Sequence, residues 1–490
     1  MKDTGKVSLG SDAMKLTTSK VITMGISMVS AMLLSRFRSL EEYGTYSQIL
    51  MVVNLMTSLI MLGLPNSINY FLARAETDKE REKFLSVYYT LSTILSIVVG
   101  FILLCSTSLL VRYFDNKLLY NFMYVLAVYP WTKVIMSSIE NVLIVYKKTS
   151  WVMIYRIANS FSLLFIIFLV QLCNWNFQIY MLLFVLVEAI FAISVYIIVH
   201  HLTIELKFTI DKSLIKNVLS FSIPIGLASV VGTLNIELDK LMISRFLDTE
   251  KLAIYTNASK EMPVTIIVTS LTAVLLPQLT RLLKNGENNK AINLWGNATF
   301  LSYLAICYLA TGFFTFAPDV MTFLYSEKYL SGVSVFRVYN IVLLLRCTYF
   351  GMILNAKGKT KFIFYSSIIS LGLNVILNYV LYNILGFIGP AIATFLSQLI
   401  INLIQLIYTA KIMRISFTKI LPWRALGLIT SINALLGLVF YNLKILIQLD
   451  TIIGNLFESI LLGVLWGIIY LFITINKVKK EWTYLNEGGK

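Results

Sequence analysis

Five basic residues stand where an apolar chain should carry none. Lys133, Arg156, Lys240, Lys260 and Arg346 each fall deep inside long hydrophobic stretches, as do the acids Glu140, Glu188, Glu237, Asp239 and Glu261. A charge at the centre of a hydrocarbon layer costs at least about 2.5–3.5 kcal/mol, so ten of them imply an aqueous cavity or pairing with one another. Their spacing assigns faces. Lys133, Ser137 and Glu140 recur at i, i+4 and i+7, one polar stripe of a helix, and Thr233, Glu237 and Lys240 make a second. Arg156 with Asn159 and Ser160 gives a third polar side, and Gln398, Asn402 and Gln405 a fourth. Glu237 with Lys240, and Lys260 with Glu261, can pair locally. Lys133, Arg156 and Arg346 have no acid within one turn of their own stretch. A stranded Lys or Arg in a half-dry cavity donates strong charge-assisted hydrogen bonds to phosphate oxygens. The chemistry expected is therefore recognition of a diphosphate headgroup rather than the making or breaking of bonds. Asn, Gln, Ser, Tyr and Trp side chains around it would suit sugars.

The elements that must position these groups are fourteen apolar runs, near residues 16–35, 45–72, 84–111, 118–145, 150–173, 177–200, 217–244, 252–280, 292–317, 335–355, 362–385, 387–410, 425–446 and 452–475. Each holds the roughly 20 residues needed to cross a core about 30 Å thick. The odd-numbered linkers hold nine basic residues: Arg36, Arg38, Arg112, Lys117, Arg245, Lys251, Lys328, Arg337 and Lys444. The tails and even-numbered linkers hold 27 of the 41. The positive-inside rule then places both termini in the cytoplasm. The expected fold class is all-α, a polytopic membrane protein of 14 transmembrane helices, N-in and C-in.

Composition agrees. The chain is 58% hydrophobic and 13% charged, about half the charge of a soluble protein, and no linker has room for a soluble domain. A net charge of +16 is read as topogenic charge facing anionic lipid, not as a nucleic-acid surface. Cys105, Cys173, Cys307 and Cys347 lie within runs, without C-x-x-C spacing, and are expected as small buried hydrophobes. His200 and His201 have no acidic or cysteine cluster beside them and are expected at the membrane interface. The first run is too long for a signal-peptide core and is expected as an uncleaved span. No Walker loop, nucleotide fingerprint or metal cluster is present, so the expectation is no cofactor, no metal and no enzyme activity.

The chain also repeats. Leu34-Ser35-Arg36-Phe37 at the end of run 1 answers Ile243-Ser244-Arg245-Phe246 at the end of run 7, and a Tyr follows each Arg by ten residues. Gly63-Leu64-Pro65 in run 2 answers Leu275-Leu276-Pro277 in run 8, a shift of 212, and Lys148-Thr149 answers Lys359-Thr360, a shift of 211. These anchors imply two pseudo-symmetric six-helix bundles, 1–6 and 7–12, plus an extra helix pair, 13–14. The expected boundaries are 1–212 for the N-terminal lobe, 213–415 for the C-terminal lobe, and 416–490 for the added pair with a basic tail. Duplicated transporters of this kind carry the substrate between their halves. Arg36 and Arg245 would form a repeat-related pair at the cavity mouth. Pro65, Pro224 and Pro277 are the hinge candidates, since proline removes a helix hydrogen bond and permits bending.

The segments "LLSRFRSLEEYGTYS", "LGLPNSINYFLAR", "LDKLMISRFL" and "GFIGPAIATFLSQ", in this order and spacing, resemble the lipid-linked oligosaccharide flippases of polysaccharide biosynthesis. These form the polysaccharide transport branch of the multidrug/oligosaccharidyl-lipid/polysaccharide (MOP) exporter superfamily. The resemblance covers about residues 15–475. It implies a flippase that moves a polyprenyl-diphosphate-linked oligosaccharide from the inner to the outer leaflet of the cytoplasmic membrane by alternating access, with polysaccharide polymerase partners. For such a substrate the embedded cations Lys133, Arg156, Lys240, Lys260 and Arg346 are expected to contact the headgroup or to hold the cavity's potential. The resemblance also implies coupling to a proton or sodium ion, for which Glu188, Glu237, Asp239 and Glu261 are the candidates. Two alternatives from the same superfamily stay open: a drug or organic-cation antiporter, and a peptidoglycan lipid-precursor flippase.

Overall fold

A computed structural model describes residues 9–203, 205–260, 262–449 and 454–486. Among them every regular element is helical. Contacts between residues divide the chain into two compact units, 1–253 and 254–490.

The first unit contains α1 (Leu9–Phe37), α2 (Leu40–Met61), α3 (Asp78–Cys105), α4 (Met123–Val145), α5 (Thr149–Leu172), α6 (Phe177–Leu202) and α7 (Lys212–Phe246). Short polar side chains cap α2, α3, α6 and α7. Ser39 and Glu42 form a capping box at α2, with the Glu42 amide donating to Ser39 Oγ and the Ser39 amide to Glu42 Oε2, both at 3.1 Å. Asp211 accepts from the Leu214 amide at α7 and pairs with Lys83 of α3 at 2.6 Å. An apolar cluster of this unit joins α3, α4, α6 and the 61–72 segment through Leu64, Ile68, Tyr88, Ile135, Val142 and Val195.

α2 and α7 run antiparallel along a polar seam. Gln48 Nε2 donates to Ser244 Oγ (2.9 Å), Asn54 Nδ2 to Glu237 Oε1 (3.2 Å), and Ser58 Oγ to Thr233 Oγ1 (3.1 Å). Glycines close both ends. A Cβ on Gly44 would lie 2.0 Å from the Thr249 carbonyl oxygen, and one on Gly226 would lie 1.9 Å from the Leu62 carbonyl carbon. Small residues at helix contacts allow such backbone approach in membranes, where apolar burial alone cannot drive association.

The second unit follows through α8 (Thr249–Ala258), whose last turns belong to it, α9 (Ile266–Lys284), α10 (Asn288–Thr315), α11 (Val333–Leu344), α12 (Thr360–Leu385), α13 (Gly389–Met413), α14 (Trp423–Ile447) and α15 (Asn455–Asn486). The element order repeats that of the first unit. α3 and α10 are offset by 210 residues at both ends, and so are the tight turns Lys117–Phe122 and Glu327–Gly332. The last pair of helices is fixed by polar contacts inside the unit. Lys444 of α14 pairs with Asp319, Ser459 of α15 bonds both, and Trp466 Nε1 donates to Asn433 Oδ1 at 3.3 Å.

Among the described residues, twelve helical stretches are long and apolar enough to cross a membrane, and one of them, 360–413, holds both α12 and α13. The tenth apolar run is not among the twelve, because its helix stops at Leu344 and resumes only as Met352–Ala356. Run 8 is interrupted after Ala258 and restarts through the tight turn Pro263–Thr265. Run 2 breaks at Leu62 and Gly63, both with left-handed backbone angles, before a short helix that opens on Pro65. Apolarity predicts an unbroken helix in each of these places and cannot see the interruptions. Cysteine burial also differs from expectation for two of four residues. Cys307 and Cys347 are buried, whereas Cys105 and Cys173 stand exposed at the ends of α3 and α5, where packing runs out.

Candidate functional site

Lys133 rises from α4, one turn beyond Pro130, into a cavity of about 380 Å³. α2 supplies Asn54, Thr57 and Ser58, α4 adds Ser137, and α7 adds Thr233 and Glu237. Lys133 and Ser137 of the stripe expected on α4, and Thr233 and Glu237 of that on α7, thus line one space, while Glu140 and Lys240 do not line it. Among the described residues Lys133 has no ion pair within 4 Å. Its ammonium lies 6.0 Å from the centre of the Tyr129 ring, and the carboxylates whose fields reach it are Glu237 and Glu188. Glu237 is already engaged, accepting from Lys240 Nζ at 2.8 Å and from Asn54 at 3.2 Å. A lysine with three donors, among hydroxyls and an amide, is arranged to hold an oxyanion.

Arg156 differs from the sequence-based expectation that it is unpaired. It forms an ion pair with Glu140, one helix away on α4. The partner was out of view because the two residues belong to different helices. One turn along α5, Asn159 Nδ2 donates to Glu188 Oε1 at 3.1 Å. α4, α5 and α6 are therefore linked by one cation–carboxylate pair and one amide–carboxylate bond. Asp239 is buried on α7, and Glu261 lies outside the described residues.

In the second unit Lys260 and Arg346 stand at the two helix interruptions. Together they line a small cavity of about 10 Å³ with Tyr339 and Asn340, room for about one water molecule. Asn340 donates to the Phe336 carbonyl at 2.8 Å, and its own carbonyl oxygen is buried with no partner among the described residues. Sequence reasoning found both cations but missed the unwound backbone beside them. The available signal was Pro263 and Gly351 at the edges of the breaks.

A family model described as "Polysaccharide biosynthesis protein" matches residues 33–334, more than half of the chain. The chain belongs to that family. The probable low-salt glycan biosynthesis flippase Agl15 of Haloferax volcanii is 22% identical over 258 residues, which cover 51% of this chain and 52% of that protein. The chain thus spans about half the length of that curated relative. Among solved structures, the lipid II flippase MurJ in an inward closed conformation superposes with a TM-score of 0.74 at 16% identity, covering 95% of this chain and 99% of that one. An inward-facing multidrug resistance MATE family transporter of the MOP superfamily gives 0.64 at 14% identity, covering 80% and 94%. At these identities the likeness is one of fold. This polysaccharide biosynthesis protein is a multi-span protein of the cell membrane with the MOP exporter fold, and its relatives are flippases and transporters rather than enzymes.

The remaining candidates of the family member fall in distinct places. Arg245 lies in the last turn of α7, donating from Nη1 to the Tyr113 carbonyl (3.3 Å) with its guanidinium 5.5 Å from the Tyr113 ring centre. It lines a different groove from the Lys133 cavity. Arg36 is in the last turn of α1 and exposed. Pro65 follows the break at Leu62 and Gly63, and its carbonyl accepts from Asn141 Nδ2 at 3.0 Å. Pro224 and Pro277 sit inside continuous helices, α7 and α9.

Proposed function

We propose that this family member is a flippase for a polyprenyl-diphosphate-linked oligosaccharide, carrying it from the inner to the outer leaflet by alternating access during surface polysaccharide synthesis. The observation that carries the reading is Lys133, a cation without an ion pair in a polar cavity of a membrane-spanning bundle. Lys133 contacts the diphosphate, while Arg156 and Lys240, each held by a carboxylate, set the potential around it. Lys260 and Arg346 hold positive potential in the second unit. Glu188, Glu237, Asp239 and Glu261 are the groups through which a proton or sodium ion would couple, and Pro65, Pro224 and Pro277 the points at which helices bend. Arg36 and Arg245 remain the paired residues of the mouth. A polysaccharide polymerase would receive the product. A cationic drug would instead need a carboxylate left open for it, and Glu237 is already bound by Lys240 and Asn54.

The test is translocation in proteoliposomes. Wild-type protein should flip a fluorescent polyprenyl-diphosphate oligosaccharide, and Lys133→Ala should slow it about tenfold to a hundredfold, the loss of a hydrogen bond to a charged group. Equal rates for wild type and variant, or movement of lipid II but not of the oligosaccharide lipid, would overturn the assignment.

A further inference from the structure

A second concavity in the first unit lies apart from the Lys133 cavity, bounded by α2, α3, the short helix Thr107–Phe114 and the end of α7. Its volume is about 550 Å³. The walls are apolar: Val52 and Met56 one turn apart on α2, Ile102 and Leu103 on α3, Leu109 and Leu110 on the short helix. At one end stand two arginines, Arg112 and Arg245, and no acid is among the residues that line the groove. Neither arginine has an ion pair within 4 Å among the described residues. Arg245 is steadied by the Tyr113 carbonyl and ring, and most of its five donors remain directed elsewhere. Gln48 bonds Ser244, beside Arg245, so Val52 and Met56 lie about 6 and 12 Å further along α2 at 1.5 Å per residue. The groove therefore runs from a pair of guanidinium groups down into the apolar length of the helices.

We propose that this groove binds an anionic phospholipid of the surrounding bilayer, its phosphate on Arg112 and Arg245 and one acyl chain along Val52, Met56, Leu103 and Leu110. Charge complementarity selects the head, since two unneutralised guanidinium groups at a membrane-spanning bundle attract phosphate bidentately. Size selects the tail. At about 30 Å³ per water-sized group, the space of about 550 Å³ takes roughly 18 heavy atoms, the size of one acyl chain, with the phosphate outside it at the arginine end. The groove shares no lining residue with the Lys133 cavity, and Arg245, assigned above to the cavity mouth, is the one residue common to the two proposals.

Native mass spectrometry of the full chain in detergent, titrated with dioleoyl phosphatidylglycerol or dioleoyl phosphatidylcholine, tests it. One phosphatidylglycerol should be retained about tenfold more tightly than phosphatidylcholine. The double variant Arg112→Gln, Arg245→Gln should lose that preference. Leu109→Glu, which keeps both arginines but sets a carboxylate on the wall, should lose it too. Melting temperature without added lipid, measured for each variant, separates lost binding from lost folding. Equal retention of the two lipids by wild type, unchanged retention in folded variants, or displacement of phosphatidylglycerol by a polyprenyl diphosphate at lower concentration would each overturn the proposal.

Discussion

Lys133 rises from a helix that is unbroken across its span, whereas Lys260 and Arg346 stand where helices stop. The first arrangement leaves a roomy polar cavity of about 380 Å³. The second leaves a space for about one water. In the first unit side chains satisfy one another across helices: Asn54 with Glu237, Ser58 with Thr233, Arg156 with Glu140. In the second, unwound backbone brings its own amides and carbonyls into the span. Such backbone is tolerated at membrane depth only where protein or water covers it. Side-chain pairing meets buried charge in both units, Arg156 with Glu140 in the first and Lys444 with Asp319 in the second, and the second adds helix interruptions beside Lys260 and Arg346. Under the proposed function, the first cavity holds the headgroup and the interrupted helices change shape.

The largest expected effect breaks the first unit's side of this contrast. Gly226→Ala puts a methyl carbon 1.9 Å from the Leu62 carbonyl carbon, a clash with backbone that no rotamer relieves. The α2–α7 seam should separate, at a cost at or beyond the ~1–3 kcal/mol of ordinary overpacking, and folded protein recovered in detergent should fall sharply. Gly232→Ala on the same helix meets nothing within 4 Å and should be neutral or stabilising by about 0.5–1 kcal/mol, from the better helix propensity of alanine. Size-exclusion yield and thermal melting of the two variants decide the matter. Equal yields would mean that α2 and α7 do not pack as closely as described.

What could be read in the chain, and what could not, divides along the same line. The apolar runs and the 210-residue offset are visible because each depends on residues close in sequence: a run of about 20 apolar side chains, or a Pro and an Arg at fixed spacing. α3 and α10 duly begin and end at that offset. The stripes Lys133–Ser137 and Thr233–Glu237 follow from helical periodicity and line one cavity. Pairing between helices does not follow, because Arg156 meets Glu140 only once α4 and α5 pack. The breaks in runs 8 and 10 left only Pro263 and Gly351 as a signal in the chain. Hydropathy records side chains, whereas these interruptions depend on whether backbone groups find partners.

A middle-sized effect compares the cations themselves. Lys133→Gln removes the one charge that lacks an ion pair in the first cavity and should cost transport about tenfold or more. Arg346→Gln acts beside a small cavity of about 10 Å³, against about 380 Å³ at Lys133. It should slow transport by a smaller factor, about twofold to fivefold, well under the tenfold that 1.4 kcal/mol represents. The initial rate and the substrate concentration for half-maximal rate, measured for both in proteoliposomes, separate the two roles. Lys133→Gln should raise the half-maximal concentration, and Arg346→Gln should lower the rate alone. The reverse pattern would exchange the roles of the two units.

The smallest effect lies outside the span, at the starts of α3 and α10, which occupy equivalent positions. Thr77 caps α3 by accepting from the Glu80 amide at 3.3 Å, and a hydroxyl does not titrate. At α10 the cap position holds Glu287, whose carboxylate pairs instead with Lys290 at 2.8 Å. The hydrogen bond from Lys290, then its charge, holds the Glu287 carboxyl below the usual glutamate range. A carboxyl lowered in the folded state contributes its stability above the unfolded value, about 4.3, and loses it as pH falls through the folded value. Wild type should therefore melt slightly above Glu287→Gln at pH 7, and the gap should close as pH falls below about 4. Thr77→Ala should cost about 1 kcal/mol with no such closing. A Glu287→Gln gap that stayed constant from pH 7 to pH 3 would show that the second cap acts by shape and not by charge, and the contrast between the two helix starts would disappear.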